Sequence, residues 1–311
     1  MIFRLSHDTG EAMKPDKSLR NVFKESERWL VNAAVEGRLD YYMGMLRQGL
    51  VGSGRLSSPA RSDLDLLGHY HGHRAIDAFG KGDLLALAQP LRWAIAYRSL
   101  GFRFGAMNPP KGNDVVQLHE FVTSLKAIGP ALLGEWDEAA GNAALLLAYA
   151  EAEQQRNAFP GSERHKRWGK GTHDAFVIAL LAQAFDLGTT YTPENPLIEA
   201  YQGLLVHWRT TDLATFQQAM APAVAFHLAR GRYSTDKVEY EFNSPFDRVF
   251  PAELLLVQAL RQRDGLPAFA SGHALVDAPW AAISQLPDAD QPPPLLAQTL
   301  ARLQADYPQF R

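Results

Sequence analysis

The residues best suited to chemistry are three histidines at alternate positions, His69-Tyr70-His71-Gly72-His73, with Asp63 and Asp65 just upstream. On an extended strand, alternate side chains share one face, and three imidazoles together can hold zinc. On a helix only His69 and His73, four residues apart, are neighbours, and Gly72 supplies no ligand. Leu64, Leu67 and Ile76 around them recur at helical spacing. The histidines therefore read as helix residues that pack and hydrogen-bond, and no metal ligand, catalytic residue or cofactor is assigned. The alternative is a helical metal-dependent hydrolase or lyase whose pocket contains His69, His71, His73, Asp63 and Asp65.

Other motifs fail on spacing. His119-Glu120 opens like a zincin helix, but Thr123 stands where the second histidine belongs. Gly169-Lys170-Gly171-Thr172 ends like a phosphate-binding loop without its earlier glycine or preceding strand. Gly52-Ser53-Gly54 is a linker, since no nucleophile-elbow spacing surrounds it. Two segments mix charge with an aromatic outside the expected core. One is the basic run containing Arg164, Lys166, Arg167, Trp168 and Lys170; the other contains Lys237, Glu239, Tyr240 and Glu241. Both are candidate partner-binding surfaces. The basic run also gives a second alternative, a helical-repeat nucleic-acid binder gripping phosphate while Trp168 stacks a base. Glu135-Trp136-Asp137-Glu138 is an exposed acidic corner that could meet a basic partner, although an ordinary turn between helices explains it as well.

The elements that must position these groups are helical. The chain has 311 residues, 46% of them hydrophobic, including 16 Phe, 10 Tyr and 6 Trp, enough for a continuous core. A formal net charge of −3 provides no global attraction to nucleic acid or anionic lipid. Cysteine is absent, which removes disulfides, thiolate nucleophiles and thiolate zinc sites and fits a reducing compartment. No apolar run approaches the length of a bilayer span, and the first residues carry no secretory h-region. The expected location is cytoplasmic, without membrane partners.

Residues 1–16 read as an irregular lead, and 17–311 as one all-α domain of about ten helices. Apolar spacing starts at 17, continues weakly past Gly37 and breaks at Gly52-Ser53-Gly54. Ser58-Pro59 and Asp83 open the next two helices, and Asn113 opens another. Residues 133–140 have the small-residue, aromatic and Glu-Ala rhythm of tetratricopeptide-like helix pairs, without a fixed period. A polar loop spans 154–172. Helices then follow at 175–185, from Thr192-Pro193 to Trp208, from Asp212 to Leu228, at 250–260 and at 295–303, with Ser244-Pro245 as a further start. Pro90 and Pro222 should kink or split their helices. Residues 233–242 are the one stretch expected to be extended. The architecture is thus antiparallel helical hairpins stacked in a repeat-like bundle.

Within 172–280 the chain resembles the Immunity protein 49 family of bacterial polymorphic-toxin systems. The likeness is carried by the apolar helix from Thr172 to Leu181, by His207-Trp208 with Phe216-Gln217-Gln218-Ala219-Met220 and Phe226-His227, and by Glu253-Leu254-Leu255-Leu256-Val257-Gln258-Ala259-Leu260-Arg261. It continues through Asp264-Gly265-Leu266-Pro267 to Leu275-Val276-Asp277-Ala278-Pro279-Trp280. The resemblance covers the C-terminal third and implies an all-α cytoplasmic protein made beside a toxin, often a contact-dependent or type VI secretion effector. Such proteins act by binding, so it carries over no catalytic residue. The expected function is neutralisation of a cognate toxin by occlusion, and not enzymatic catalysis.

Overall fold

The computed structural model describes residues 14–105, 107, 122–157, 171–288 and 291–310. Among these residues there is no strand, and the architecture is all-α. A short 3-10 turn, Lys17–Leu19, leads into α1 (Arg20–Val35) and α2 (Arg38–Val51). The weak continuation past Gly37 is in fact a break: Gly37 adopts φ 61° and separates two helices. Then follow α3 (Ser58–Gly80), α4 (Leu84–Gly105), α5 (Val122–Ala127), α6 (Gly129–Leu132) and α7 (Trp136–Asn157). The second half contains α8 (His173–Phe185), α9 (Glu199–His207), α10 (Leu213–Arg230), α11 (Pro245–Val249), α12 (Ala252–Arg263), α13 (Ala274–Ile283) and α14 (Leu296–Asp306). No described helix is long and apolar enough to cross a membrane.

Several helix starts follow directly from side-chain chemistry. Asp83 accepts from the Ala86 N–H at 2.9 Å and Asp212 from the Thr215 N–H at 2.7 Å, satisfying amides that the first turn leaves free. Pro59 and Pro245 sit in the first turns of α3 and α11. Three expectations are corrected. Neither Pro90 nor Pro222 splits its helix: α4 and α10 run through them. A proline removes one N–H bond, and the buried faces of these helices outweigh that loss. Nor does Thr192-Pro193 start a helix; α9 begins at Glu199, and the residues before it are irregular. Residues 233–242 likewise form an irregular loop, not a strand. The helix expected from Asn113 has only its C-terminal end, α5, within the described residues.

α3 and α4 form the central hairpin, and small residues let them approach. A Cβ on Gly68 would lie 3.0 Å from Arg98 Cγ, one on Gly101 3.1 Å from Asp65 Oδ1, and one on Gly105 3.2 Å from Arg61 Cζ. The pairings 61 with 105, 65 with 101 and 68 with 98 run in opposite directions, so the hairpin is antiparallel. Gly72 makes room on a neighbouring face for the Phe246 ring of α11. Two opposing terms then decide what an added methyl does. In a helix, Gly→Ala gains roughly 0.5–1 kcal/mol from the backbone, whereas overpacking a tight contact costs roughly 1–3 kcal/mol. Gly44 in α2 has nothing within 4 Å of its would-be Cβ. Gly44→Ala should therefore stabilise by about 0.5–1 kcal/mol, and Gly68→Ala should destabilise by about 1 kcal/mol net. Urea denaturation of the two variants reads the difference; equal shifts would show that the close approach of α3 and α4 has no energetic weight.

The main core is built from the inner faces of α4, α8, α10, α12 and α13, with Phe176, Phe216, Leu254, Leu255 and Val276 fully buried. A second core joins α2, α3 and α4 to the returning C-terminal helix through Leu46, Leu64, Tyr97, Phe104, Leu303 and Phe310. Tyr307 Oη donates to the Leu56 carbonyl at 2.7 Å, and Arg302 donates to the Leu50 carbonyl at 2.8 Å. The Gly52-Ser53-Gly54 break is thus clasped by α14.

Candidate functional site

The helix separates the groups that the metal-enzyme reading would bring together. At about 100° per residue, His71 lies on the opposite side of α3 from His69 and His73. His69 and His73 face α1, where Trp29 stacks on the His73 ring at 4.2 Å. His71 is buried between Trp93 and Tyr97 of α4. Asp65 is paired with Lys126 at 2.9 Å. Asp63 is buried at a separate small pocket of about 280 Å³ beside Met45, Gly52 and Arg55, and burial raises its carboxyl above the usual range. Among the described residues no group of three or more metal-ligating side chains converges.

The candidate partner surfaces fare differently. Arg164, Lys166, Arg167, Trp168 and Lys170 lie outside the described residues. In the other segment Lys237 is exposed, as is Val238, while Glu239 and Tyr240 are half-buried. Glu241 corrects the expectation: it is 2% exposed and ion-paired with Arg230. Arg230 also donates to the Glu239 carbonyl at 2.6 Å, and its guanidinium lies over the Tyr240 ring. Glu241 therefore anchors the loop from within, leaving Lys237 and its neighbours as the outward surface.

A second buried polar group ties the C-terminal helices together. His227 Nδ1 lies 2.6 Å from Glu253 Oε1, and Tyr201 Oη donates to the same oxygen at 3.4 Å. The His227 ring stacks on Phe242 at 3.9 Å. All three polar residues are at most 1% exposed, and burial holds the Tyr201 hydroxyl well above its ordinary pKa. Such enclosure links α9, α10 and α12. Arg261, equally buried, donates to the carbonyls of Trp208, Thr210 and Pro267 and lies over the rings of Phe216 and Phe269. It fastens the turn between α9 and α10 to the chain that follows α12.

A broad groove of about 910 Å³ opens beside α4. One wall is α4, through Arg92, Trp93 and Ala96. The second is the corner between α6 and α7, Gly134 to Glu138, where Gly134 takes φ 75° to turn the chain. The third is the proline-rich segment before α14, held on α4 by three bonds to its carbonyls. Trp93 Nε1 donates to Gln291 O at 3.0 Å, Tyr97 Oη to Pro294 O at 2.6 Å and Arg92 to Pro287 O at 3.3 Å. Four carboxylates, Glu135, Asp137, Glu138 and Asp288, line the groove with one arginine, Arg92, while Arg103 approaches Glu138 from behind at 3.9 Å. Enclosure by the groove raises the Glu135 carboxyl, with the Glu138 charge adding to it and Arg92 opposing it. Glu138 accepts from Ser99 Oγ at 2.5 Å, and Trp136 is braced by the Arg263 guanidinium 5.3 Å from its ring. The groove thus offers a negative rim and fixed indole surfaces, an arrangement for binding a cationic, partly apolar segment.

No family model, curated protein or solved structure matches the chain. The likeness at 172–280 consequently rests on the residues that carry it, most of which are core. Thr172 to Leu181 is buried α8 apart from half-buried Ala179, and the stretch from Glu253 to Arg261 is buried in α12. Sequence reasoning had marked the acidic corner, but not the groove. The missing signal was the pairing of the Pro287–Pro294 stretch with Trp93, Arg92 and Tyr97, nearly 200 residues apart in the chain.

Proposed function

We propose that this chain is an immunity-type binder. It neutralises a cognate toxin or secretion-system effector in the cytoplasm by seating a basic segment of that protein in the acidic groove. The observation that carries the reading is the groove's composition: four carboxylates against one arginine, with Trp93 and Trp136 on opposing walls. Cationic surfaces of this kind occur where an effector handles phosphate or other anions, and covering them removes activity without chemistry. The likeness at 172–280 supports the same reading. So does the stack of helical hairpins, a scaffold that presents extended binding surfaces. On this proposal no cofactor and no catalytic residue is required, and neither nucleic acid nor membrane is a partner.

The test is co-expression with the product of a neighbouring toxin gene. Wild-type protein should restore growth and co-purify with the toxin. Tryptophans at the centre of an interface often carry 2 kcal/mol or more, so Trp136→Ala should weaken binding by roughly thirtyfold or more. Asp137→Lys should slow association and flatten its salt dependence, whereas Lys237→Ala should change little. A toxic neighbour that is neither rescued nor bound by the wild type would refute the immunity reading. Full binding by both groove variants would move the interface elsewhere.

A further inference from the structure

The face of α3 that looks onto α1 carries a pair of imidazoles with an unusual separation. His69 and His73 are four residues apart, and their Nε2 atoms lie 3.1 Å from each other. Two nitrogens on adjacent positions of one ion, each roughly 2.0–2.1 Å from it, stand about 3 Å apart when the angle between them is near 90°. The observed gap, that of an imidazole–imidazole hydrogen bond, is also close to the bite of a single coordinated cation. The rings are set nearly perpendicular, at 89°, and are fixed by Trp29, which stacks on His73 and meets His69 edge-on at 5.1 Å. His69 is exposed at the rim, so an ion reaches the pair from solvent, while His73 closes the inner side.

We propose that His69 and His73 form a surface chelate for a divalent transition-metal ion of the imidazole-preferring class, Cu²⁺, Ni²⁺ or Zn²⁺. Two protein nitrogens occupy adjacent positions, and water fills the others. Without metal, one Nε2–H donates to the other Nε2. Binding requires both Nε2 lone pairs, so that proton moves to Nδ1 of the same ring and none is released.

Three features limit the affinity. His73 Nδ1, which carries the proton in the metal-bound form, is buried without a hydrogen-bond partner among the described residues, so no acceptor orients this ligand. The Arg38 guanidinium lies over the Trp29 ring, and its charge, with that of Arg98, reaches His69 against the attraction of Asp247. No third ligand converges among the described residues. The site is a chelate with open positions, weaker than a closed structural zinc centre.

Untagged protein titrated with NiCl₂ or CuCl₂ in a non-chelating buffer provides the test. The expected result is saturable binding of one ion per chain, tighter for Cu²⁺ than for Ni²⁺, with quenching of Trp29 fluorescence. His69→Ala, a change at an exposed position, should weaken binding by more than about tenfold, whereas His207→Ala, at an exposed histidine on α9, should leave it intact. Trp29→Phe should lose most of the quenching and keep the ion. Absence of saturable binding in the wild type, or equal binding by wild type and His69→Ala, would overturn the site.

Discussion

Asp247→Ala is expected to destabilise the protein by about 3–5 kcal/mol, the cost of stranding one member of a buried ion pair. Arg98 of α4 donates to Asp247 Oδ1 of α11 at 2.7 Å, with side-chain exposures of 10% and 1%. The guanidinium also lies over the Phe246 ring at 4.6 Å, and its stem forms the tight contact with Gly68. Removing the carboxylate leaves a permanent charge in a site walled by an aromatic ring and two helices. Because guanidinium cannot shed its proton, it cannot escape by neutralising. The second oxygen of Asp247 is buried without a described partner, so the carboxylate itself is not fully compensated. A double change, Arg98→Met with Asp247→Leu, removes both charges while keeping comparable bulk, and it should recover most or all of the loss. Urea midpoints for the three variants decide the matter. A loss below about 1 kcal/mol in Asp247→Ala, or a double variant as unstable as the single, would show that the pair is solvated and carries little.

How much of this was legible beforehand depended on how local the cause was. Asp83 and Asp212 cap helices through amides three residues away, and both starts could be read from the chain. The end of α8 at Asp186, which adopts φ 52°, could likewise be read locally. Thr192-Pro193 has the same local grammar but starts nothing. The chain there is spent in bonds to α7, with the Thr192 N–H on Gln154 and the Thr190 N–H on Glu151. A proline in mid-pattern, Pro279, did not announce α13, whose buried Leu275, Val276, Ala278 and Ala282 outweigh the lost bond. Glu241 looked like surface because its neighbours are charged, yet Arg230, eleven residues earlier, draws it inward. The groove was least accessible of all. Its walls come from three distant segments, and no spacing within any one of them encodes the meeting. The histidines of α3 show the opposite case: helical periodicity alone separated His71 from His69 and His73, as observed.

Those histidines also make part of the fold's stability acid-sensitive. His71 is 1% exposed, and neither ring nitrogen has a hydrogen-bond partner among the described residues. Its ring lies parallel to Tyr97 at 5.8 Å and edge-on to Trp93 at 4.9 Å, a cage that presents no hydrogen-bond acceptor to an imidazolium among the described residues. Burial, with the Arg74 charge adding to it, lowers His71 to about 3; burial with His69 nearby does the same for His73. In the unfolded chain both titrate near the ordinary value of 6.5. For these two groups the unfolded state therefore binds more protons between pH 6.5 and 3, and their contribution to stability falls as pH drops through that window, whereas Glu153, raised by burial to about 9, contributes in the opposite sense. Above pH 6.5 the contribution is complete. Below it, each histidine removes about 1.4 kcal/mol per pH unit, so the two together remove roughly 5 kcal/mol between pH 7.5 and 4.5. His71→Phe keeps an aromatic ring in the Trp93–Tyr97 cage and removes the titrating group. It should lose roughly 2–3 kcal/mol less than wild type over the same interval, with the gap between the two widening as the pH falls. Urea unfolding at pH 7.5, 5.5 and 4.5 measures both slopes. Parallel slopes for wild type and His71→Phe would mean that His71 does not stay neutral in the folded protein, and that its cage admits water.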